Sequence, residues 1–251
     1  MAALLDKAAA AAVHSSTDAA AIAPAMTVKL SIVMPVLNEA ANLPASLQAL
    51  AAYTAHGAQL IVVDGGSTDG TVALAQRAGA TVVPAPRGRA LQVNAGAQQA
   101  LGEILLFLHA DTLLPADADQ LIAQALAMHS AVWGRFDVRI SGDSNMLTVV
   151  AVLMNLRSRW SGIATGDQAL FMTRAAFDTV GGFPVQPLME DIEMSKRLRQ
   201  LSCPACLQAK VVTSGRRWET RGVWRTIFLM WRLRFAYWRG VAPERLADLY
   251  K

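Results

Sequence analysis

The residues from Ile104 to Asp111 constrain the fold of this chain more than any other stretch. Ile104–Leu108 is an unbroken apolar run, which is typical of a strand that is buried on both faces of a parallel sheet. An imidazole and a carboxylate follow it directly, in His109-Ala110-Asp111. Open α/β sheets bind ligands at the carboxyl ends of their strands, and a carboxylate there can hold a divalent cation against a phosphorylated ligand. An ordinary polar turn could have the same residues at this one position, so only the rest of the sequence distinguishes a ligand site from such a turn.

Earlier parts of the chain repeat this pattern of an apolar strand followed by acidic or amide side chains. Leu30–Val36 is a β-branched apolar strand that is followed by Asn38 and Glu39, and Gln59–Val63 is a strand that ends in Asp64. Three strand ends with such residues at one sheet edge indicate a ligand site. The remaining elements predicted for this half are a helix to about Tyr53, a strand over Ala80–Pro84 and a helix over Gly88–Leu101.

Charge is distributed unevenly along the 251 residues, which are enough for one large α/β domain or two small ones. Residues 1–195 carry 10 Lys and Arg against 16 Asp and Glu, whereas residues 196–251 carry 13 against 3. The basic final quarter predicts an anionic partner, either nucleotide phosphate, anionic lipid or nucleic acid. Nucleic acid is the least favoured of the three, because the sequence contains no recognised nucleic-acid-binding motif. No apolar run has the length of a membrane span without an interrupting charge or turn signal.

Two further segments bear on the compartment in which the protein works. Residues 1–26 are rich in alanine and lack the features of a signal peptide, so we expect a disordered extension there. The two cysteines form Cys203-Pro204-Ala205-Cys206, but no second CxxC supplies the other ligands of a zinc site. The pair also follows the helix predicted for Ile192–Leu201, whereas redox pairs precede a helix. We therefore expect a cytoplasmic protein without a disulfide framework.

The second half contains fewer regular patterns but two candidate functional segments. Val132–Ile140 alternates like a strand, and Asn145–Leu156 reads as an apolar helix that the basic residues 157–160 follow. Gly166-Asp167-Gln168 precedes a short strand over Ala169–Thr173, so Asp167 is either an acceptor-side acid or only a turn residue. Glu190-Asp191 begins a helix, where the helix dipole favours a carboxylate for structural reasons alone. A carboxylate in that place could also remove a proton from a nucleophilic hydroxyl.

An aromatic stripe and a row of arginines share the predicted helix 222–240. Six apolar side chains recur at helical spacing, and Arg225, Arg232 and Arg239 repeat every seven residues with Arg221 in line. The stripe can cover the protein core while the arginine stems reach solvent, or it can lie on an anionic membrane, which would place the protein on the inner face of the membrane. Core packing is the favoured interpretation. The six are Trp224, Ile227, Phe228, Trp231, Phe235 and Trp238.

Several of these motifs, taken in order, resemble family 2 glycosyltransferases. The resemblance extends from Lys29 to Trp218, and the tail, with its closing Glu244-Arg245-Leu246, resembles a small bacterial subgroup of soluble members. The motifs are Pro35-Val36-Leu37-Asn38-Glu39, Val63-Asp64-Gly65-Gly66-Ser67-Thr68-Asp69-Gly70-Thr71, Asn94-Ala95-Gly96, His109-Ala110-Asp111, Gly166-Asp167-Gln168, Gly181-Gly182-Phe183-Pro184 and Glu190-Asp191.

The resemblance implies an α/β fold of the GT-A type, a single Rossmann-like nucleotide-diphospho-sugar transferase domain with a mixed central sheet. That domain would occupy residues 27–251, with the nucleotide-sugar half at about 27–112, the acceptor half at about 113–218 and the basic aromatic helix at about 222–240. The donor would be a nucleoside-diphosphate sugar, usually UDP-linked, and the transfer would invert the anomeric carbon of the sugar.

On the donor side, the resemblance assigns roles to three groups of residues. Asp111 would hold Mg²⁺ or Mn²⁺ on the diphosphate. His109 is a further candidate metal ligand, because it stands where the family usually has the first Asp of a DxD motif. The nucleotide-binding residues would be Pro35, Asn38 and Glu39 bordering the nucleoside, Asp64 at the base or ribose, and Arg89 near the base or phosphates.

On the acceptor side, the resemblance assigns the base to Asp191, a supporting acid to Glu190, and acceptor contacts to Asp167 and Gln168. Arg216, Arg217 and Trp218 complete the set of nucleotide-binding residues, because they resemble the end of the QxxRW motif of processive members and guanidinium groups suit the donor diphosphate. Ser214 replaces the Gln of that motif, so processive polymerisation is not expected. Two alternatives stay open: a sugar-phosphate nucleotidylyltransferase, whose glycine-rich loop near the first strand is missing here, and a non-catalytic membrane-attached scaffold of the same fold.

Overall fold

The structure, a computed structural model, describes residues 30–128 and 130–250. Residues 1–26, for which we expect a disordered extension, lie outside the described residues. Within the residues that the structure describes, eight strands form one mixed sheet in the order β3-β2-β1-β4-β7-β6-β8-β5. The strands are β1 Leu30–Val36, β2 Gln59–Asp64, β3 Thr81–Pro84, β4 Ile104–Phe107, β5 Thr112–Leu113, β6 Trp133–Ser141, β7 Phe171–Thr173 and β8 Ala205–Ser214. The helices are α1 Leu43–Ala55, α2 Thr71–Arg77, α3 Arg89–Gln99, α4 Ala118–Met128, α5 Asn145–Ser161, α6 Arg174–Thr179, α7 Glu190–Leu198, α8 Arg216–Arg221, α9 Val223–Trp238 and α10 Pro243–Tyr250, and a 3₁₀ turn spans Gly166–Gln168.

Strands β1 to β4 form the parallel half that the sequence predicts. Val36 pairs with Asp64 across β1 and β2, and Val33 pairs with Phe107 across β1 and β4. Parallel pairing in this register brings the carboxyl ends of β1, β2 and β4 to one edge of the sheet, as the strand-end residues predicted. The mixed sheet of the GT-A type is thus confirmed, because β7 runs antiparallel to β4 and β6 antiparallel to β7.

Strand β8 enters the sheet between two strands that precede it in the chain. It pairs parallel with β6 and antiparallel with β5, the two-residue strand that follows Asp111 directly. The backbone N–H of Ser214 donates to the carbonyl of Asp111 at 3.2 Å. Because α8 begins two residues after Ser214, this pairing brings the basic segment at Arg216 to the same edge as the strand ends.

Apolar side chains cover both faces of the sheet and form two large buried clusters. Helix α3 lies especially close to the parallel strands at Gly96. A Cβ atom at this position would lie 2.5 Å from Cγ1 of Val33 and 2.6 Å from Cγ2 of Val63. Glycine is therefore required at position 96, and the close contact fixes α3, whose first residue is Arg89, against the strands that end at the candidate site.

Two features of the helices differ from the sequence predictions. Helix α5 does not end at Leu156 but continues to Ser161, because residues 157–160 contain no proline or glycine and Gly162, with φ 63°, ends the helix in the left-handed conformation. The second difference concerns α9, for which core packing of the aromatic stripe was favoured. That interpretation is wrong for five of its six side chains, which remain at least 60 % exposed, and these are Trp224, Phe228, Trp231, Phe235 and Trp238.

A different face of α9 makes the packing contacts. Leu233 is fully buried and joins Leu246 of α10 in a small cluster with Met189 and Ile192, which flank the start of α7. The C-terminal helices therefore pack against the start of α7, and Val223 and Ile227 of α9 also pack against one of the two large clusters. Among residues 30–128 and 130–250 we find no helix with the length and apolar character that crossing a membrane requires.

Candidate functional site

The loops after β1 and β2 are joined by hydrogen bonds from Asn38 and Asp64. Asn38 adopts a left-handed conformation with φ 54°, which Asn tolerates better than most residues. Its side-chain oxygen accepts from the N–H of Thr68 at 2.8 Å, and its own N–H donates to Oγ of Ser67 at 2.8 Å. The buried carboxylate of Asp64 accepts from the N–H groups of Gly66 and Ser67, both at 3.1 Å. These bonds build a rigid wall from two of the three strand ends.

The neighbouring predicted residues are also at this edge. Pro35 is partly buried near the end of β1, and the Glu39 carboxylate accepts from Nδ2 of Asn42 at 2.6 Å. The sequence analysis missed Gln92, whose Nε2 donates to the carbonyls of Val36 at 2.8 Å and Val63 at 2.9 Å. An amide on the inward face of the predicted helix Gly88–Leu101 was the available signal, because a buried amide needs polar partners.

His109 contacts the 3₁₀ turn Gly166–Gln168. Its Nδ1 lies 3.3 Å from Oδ1 of Asp167, and a Cβ atom at Gly166 would lie only 2.5 Å from its Nε2. Burial acts to raise the pKa of Asp167, but the hydrogen bond and charge of His109, aided by Arg89 and Arg217, outweigh it and lower that pKa. Asp167 is therefore a carboxylate at neutral pH, and it is joined to the end of β4 through His109.

Asp111 is the strand-end carboxylate that remains available for a ligand. Within the described part of the chain it makes no side-chain hydrogen bond and no ion pair, although it lies close enough to Arg89 and Arg217 to affect their pKa values. No cluster of three or more His, Cys, Asp or Glu side chains among the described residues is arranged to hold a metal. Mg²⁺ is commonly bound by one or two carboxylates together with phosphate oxygens and water, so the free Asp111 carboxylate fits such an ion.

Asp191 lies in the first turn of α7, where its carboxylate accepts two backbone hydrogen bonds. Oδ2 accepts from the N–H of Gly166 at 2.9 Å, and Oδ1 accepts from the N–H of Ile192 at 2.8 Å. Burial and the neighbouring charge of Glu190 nevertheless raise the pKa of Asp191 to about 6, against the two hydrogen bonds and Arg89. The helix dipole alone predicts an ordinary or lowered pKa, so burial outweighs it here. A carboxylate with this pKa can accept a proton near neutral pH.

An ion pair between Arg89 and Glu190 connects helix α3 with helix α7. Nη1 of Arg89 lies 3.5 Å from Oε1 of Glu190, whose side chain is only 6 % exposed. Loss of solvent acts to lower the pKa of Arg89, but four carboxylates raise it overall. The charge of this guanidinium therefore interacts with an acidic cluster, by which we mean Glu190, Asp191, Asp167 and Asp111.

The basic segment after β8 contributes Arg217 to the same cluster. Burial lowers the pKa of Arg217, and the positive charge of Arg89 lowers it further, while Asp167 and Asp111 act in the opposite direction. The guanidinium lies over the ring of Tyr250, 5.1 Å from its centroid. Trp218 is partly buried against the core. Arg216 is exposed, and no side-chain hydrogen bond or ion pair joins it to the cluster within the described residues.

Gln168 is completely buried, and its side-chain hydrogen bonds stabilise the 3₁₀ turn Gly166–Gln168. Its Oε1 accepts from the N–H of Thr165 at 3.3 Å, and its Nε2 donates to Oδ1 of Asn155 at 3.4 Å. Asn155 in turn bonds both the N–H and the carbonyl of Val138. The side chain of Gln168 therefore positions Asp167 but does not face the site, which is a different role from the acceptor contact that the sequence predicted.

Arg157 is a site residue that the sequence analysis placed outside the helix. Burial lowers the pKa of its guanidinium, whereas the charges of Asp191 and Asp167 act to raise it. Its position depends on α5 continuing past Leu156. In the sequence, the arginines within residues 157–160 were the only indication of a role for Arg157. They are equally compatible with one face of a helix and with a basic loop.

Known glycosyltransferases are similar to this chain in sequence. Residues 31–183, more than half of the chain, match the sequence profile of the family described as "Glycosyl transferase family 2". A "PGL/p-HBAD biosynthesis glycosyltransferase" of Mycobacterium tuberculosis is 30% identical over 171 residues, which cover 61% of this chain and 62% of the relative. An "Uncharacterized glycosyltransferase" of the same organism is 39% identical over 108 residues, covering 42% of this chain and 48% of the relative. The chain thus spans less than two thirds of the length of these curated relatives.

Solved structures with a similar fold include a S. aureus protein and a mycobacterial synthase. The S. aureus TarS structure in complex with UDP superimposes with a TM-score of 0.60 at 18% identity, covering 74% of this chain and 60% of TarS. Glucosyl-3-phosphoglycerate synthase from Mycobacterium tuberculosis, in complex with Mn²⁺, UDP and glucosyl-3-phosphoglycerate, gives a TM-score of 0.56 at 20% identity, covering 74% and 70%. At these identities the likeness concerns the fold.

Proposed function

The chain belongs to glycosyl transferase family 2, and from that premise we propose that it transfers a sugar from a nucleoside-diphosphate sugar to an acceptor hydroxyl. The observation that carries this proposal is that Asp111, Asp167 and Asp191, which come from three distant parts of the chain, all act on the charge of one arginine, Arg89. Contacts join two of them to neighbouring elements, since His109 contacts Asp167 and the N–H of Gly166 donates to Asp191. A strand that ended in an ordinary polar turn would not need such a cluster.

The donor nucleotide is proposed to bind along the wall formed by the first two strand ends. Asn38 and Asp64 fix the two loops, while Pro35 and Glu39 border the same edge. UDP is the proposed nucleotide because similar folds, TarS among them, were solved with UDP. Arg89 is proposed to lie near the phosphates, where its guanidinium can offset their charge.

Asp111 is proposed to hold Mg²⁺ or Mn²⁺ against the diphosphate, with His109 as the neighbouring candidate ligand. When bound, such an ion neutralises charge on the leaving diphosphate. Since Nδ1 of His109 already contacts Asp167, we assign it mainly the support of that carboxylate. Arg217 and the exposed Arg216 are proposed to supply positive charge for the diphosphate, and Trp218 is partly buried against the core.

Asp191 is proposed to act as the general base. Its carboxylate takes the proton of the acceptor hydroxyl as the new bond from that oxygen to the anomeric carbon forms. The bond between the anomeric carbon and the diphosphate breaks in the same step, and the nucleoside diphosphate leaves with its electron pair. Attack from the face opposite the diphosphate would invert the anomeric carbon. Glu190 supports the base by pairing with Arg89, and Asp167, positioned by Gln168, contacts the acceptor.

A peripheral contact with an anionic membrane is the second part of the proposal. The aromatic side chains of α9 are exposed, and Arg225, Arg232 and Arg239 are exposed as well. Aromatic and basic side chains together suit the interface of an anionic membrane. No nucleic-acid partner is proposed.

The metal-dependent part of the proposal is tested by UDP affinity. We expect UDP to bind more tightly to the unmutated chain with Mn²⁺ than without it, as measured by calorimetry. Asp111→Asn should remove most of this difference while thermal stability is retained, because the Asp111 side chain has no structural partner among the described residues. Asp178→Asn, at an exposed aspartate on α6, is the matched control and should behave like the unmutated chain. Equal UDP affinity with and without Mn²⁺ would exclude the metal.

The reaction products that the unmutated chain releases distinguish the proposed function from the two alternatives. A nucleotidylyltransferase would form a nucleotide sugar from UTP and a sugar phosphate and release pyrophosphate, whereas the proposed enzyme releases UDP. A non-catalytic scaffold would do neither. Release of UDP from a UDP-sugar therefore supports transfer and contradicts both alternatives.

A further inference from the structure

A large apolar groove lies between helices α5 and α9 and reaches the acceptor side of the candidate site. Its volume is about 830 Å³, and its lining includes Leu153 and Trp160 on α5, Trp231 and Phe235 on α9, and Thr165 and Asp167. This volume is in the range of sites that enclose organic ligands of several hundred daltons. The groove is therefore continuous with the residues proposed to contact the acceptor.

Two arginines in the groove have buried nitrogen atoms without partners. Nε and Nη2 of Arg157 and Nη2 of Arg234 are inaccessible to solvent and make no hydrogen bond to any described residue. The same is true of Oγ1 of Thr165, and all three residues line the groove. Buried polar groups are nearly always paired, and an unpaired buried donor costs more when it carries charge. Donors of this kind, placed within an apolar lining, indicate a ligand that is anionic at one end and apolar at the other.

The exposed aromatic side chains fit the same ligand. Trp160 is 86 % exposed and Trp231 is 64 % exposed, although both line the groove. Large apolar surfaces that remain exposed commonly mark interaction sites. A ligand with a long hydrocarbon chain would cover them, whereas a free sugar or other small polar acceptor would leave them in water.

We propose that the groove binds the hydrocarbon chain of an amphiphilic acceptor whose phosphate-bearing head group is held by Arg157 and Arg234 beside Asp167. This proposal rests on the proposed function, since it names the class of acceptor for that same site. The two guanidinium groups offset the repulsion that a phosphate would meet from Asp167 and Asp191. A guanidinium also contacts two phosphate oxygens at once.

Dodecyl phosphate is the probe for this proposal, used below the concentration at which it forms micelles. We expect the unmutated chain to bind it at least tenfold more tightly than dodecanol and than inorganic phosphate, because it alone satisfies both the groove and the arginines. Arg234→Gln should weaken the binding of dodecyl phosphate by about 10- to 100-fold and leave that of dodecanol unchanged. Arg232→Gln removes the same charge from an exposed position outside the groove and should have little effect.

A second pair of variants tests the position of the hydrocarbon chain. Leu153→Glu places a charge in the groove, whereas Val152→Glu places it at a similarly exposed position on α5 outside the lining. We expect only Leu153→Glu to weaken the binding of dodecyl phosphate, by about tenfold or more, because placing a carboxylate in an apolar site is unfavourable. Both variants should keep their melting temperatures, because positions 152 and 153 are about half exposed.

UDP affinity, measured on each variant, separates this proposal from the proposed function. If UDP binds normally and dodecyl phosphate binds no better than inorganic phosphate, the acceptor proposal is wrong and the transferase proposal stands. Equal effects of Arg234→Gln and Arg232→Gln, or of Leu153→Glu and Val152→Glu, would also overturn it. Loss of UDP binding from the unmutated chain would contradict the proposed function instead.

Discussion

At the scale of single residues, the site depends on carboxylates placed in unlike surroundings. Asp167 is held ionised by His109, Arg89 and Arg217, which lower its pKa in spite of burial, whereas burial and Glu190 raise the pKa of Asp191 to about 6. Two acids within one cluster therefore differ in their readiness to take a proton. Such separation is characteristic of sites in which one carboxylate acts as the base and another provides a fixed charge.

The raised pKa of Asp191 predicts how transfer depends on pH. The base must be ionised, so the rate should rise as the pH increases through about 6 and level off above it. After burial, the charge of Glu190 is the next largest cause of the shift, and Glu190→Gln removes that charge. The acid limb of the pH–rate profile should then move to lower pH, with a smaller loss of maximal rate than Asp191→Asn causes. An unmoved limb would show that another group controls the profile.

At the scale of helices and strands, the parallel half was predictable from sequence and the C-terminal part was not. The bounds of β1 and β2 follow from runs of apolar residues that end in acids, a strictly local signal. Strand β8 was not predicted, because its place between β6 and β5 depends on pairing with residues more than 60 positions earlier. The aromatic stripe of α9 has helical spacing, but that spacing does not reveal which face meets the protein, and Leu233 makes the buried contact instead.

Packing of α9 against the start of α7 predicts that the C-terminal helices stabilise the candidate base. Leu233 is fully buried with Met189 and Ile192, on either side of Glu190-Asp191. Leu233→Ala should lower the free energy of unfolding by about 2–5 kcal/mol, the usual range for such a truncation. Phe228→Ala, at a position that is 64 % exposed and outside the groove, is the control and should change it by less than about 0.5 kcal/mol. Chemical denaturation measures both, and equal effects would show that the α9 contact does not stabilise the fold.

At the scale of the whole molecule, the division of charge along the sequence corresponds to a division in the structure. The acidic first part supplies the strand-end carboxylates, and the basic final quarter supplies Arg217 and the exposed arginines of α9. The anionic partner that the basic final quarter predicts stays a prediction, and the proposed nucleotide-sugar donor would satisfy it. The sequence did not predict the groove, because a groove arises where two helices distant in sequence meet.

The exposed arginines of α9 predict binding to anionic vesicles. The triple variant Arg225→Gln, Arg232→Gln and Arg239→Gln should bind vesicles that contain phosphatidylglycerol more weakly, by about 1 kcal/mol per arginine. Binding to these vesicles should also weaken with salt, and it should be weaker on vesicles of phosphatidylcholine alone. Co-sedimentation measures the effect, and a control variant removes three exposed charges elsewhere, Arg77, Arg139 and Lys210. Similar binding by both triple variants would exclude α9 as the contact.

The measurement that tests the account most directly is release of UDP from a UDP-sugar, with water in the place of the acceptor. We expect the purified chain with Mn²⁺ to release UDP slowly from at least one of UDP-glucose, UDP-galactose and UDP-N-acetylglucosamine. Asp191→Asn should bind UDP as tightly as the unmutated chain but release it about 10²–10⁴-fold more slowly, which is the usual contribution of a general base. Release at the unmutated rate would show that Asp191 serves only as part of the first turn of α7. A chain that neither binds UDP nor releases it would contradict the assignment of a nucleotide-sugar transferase altogether.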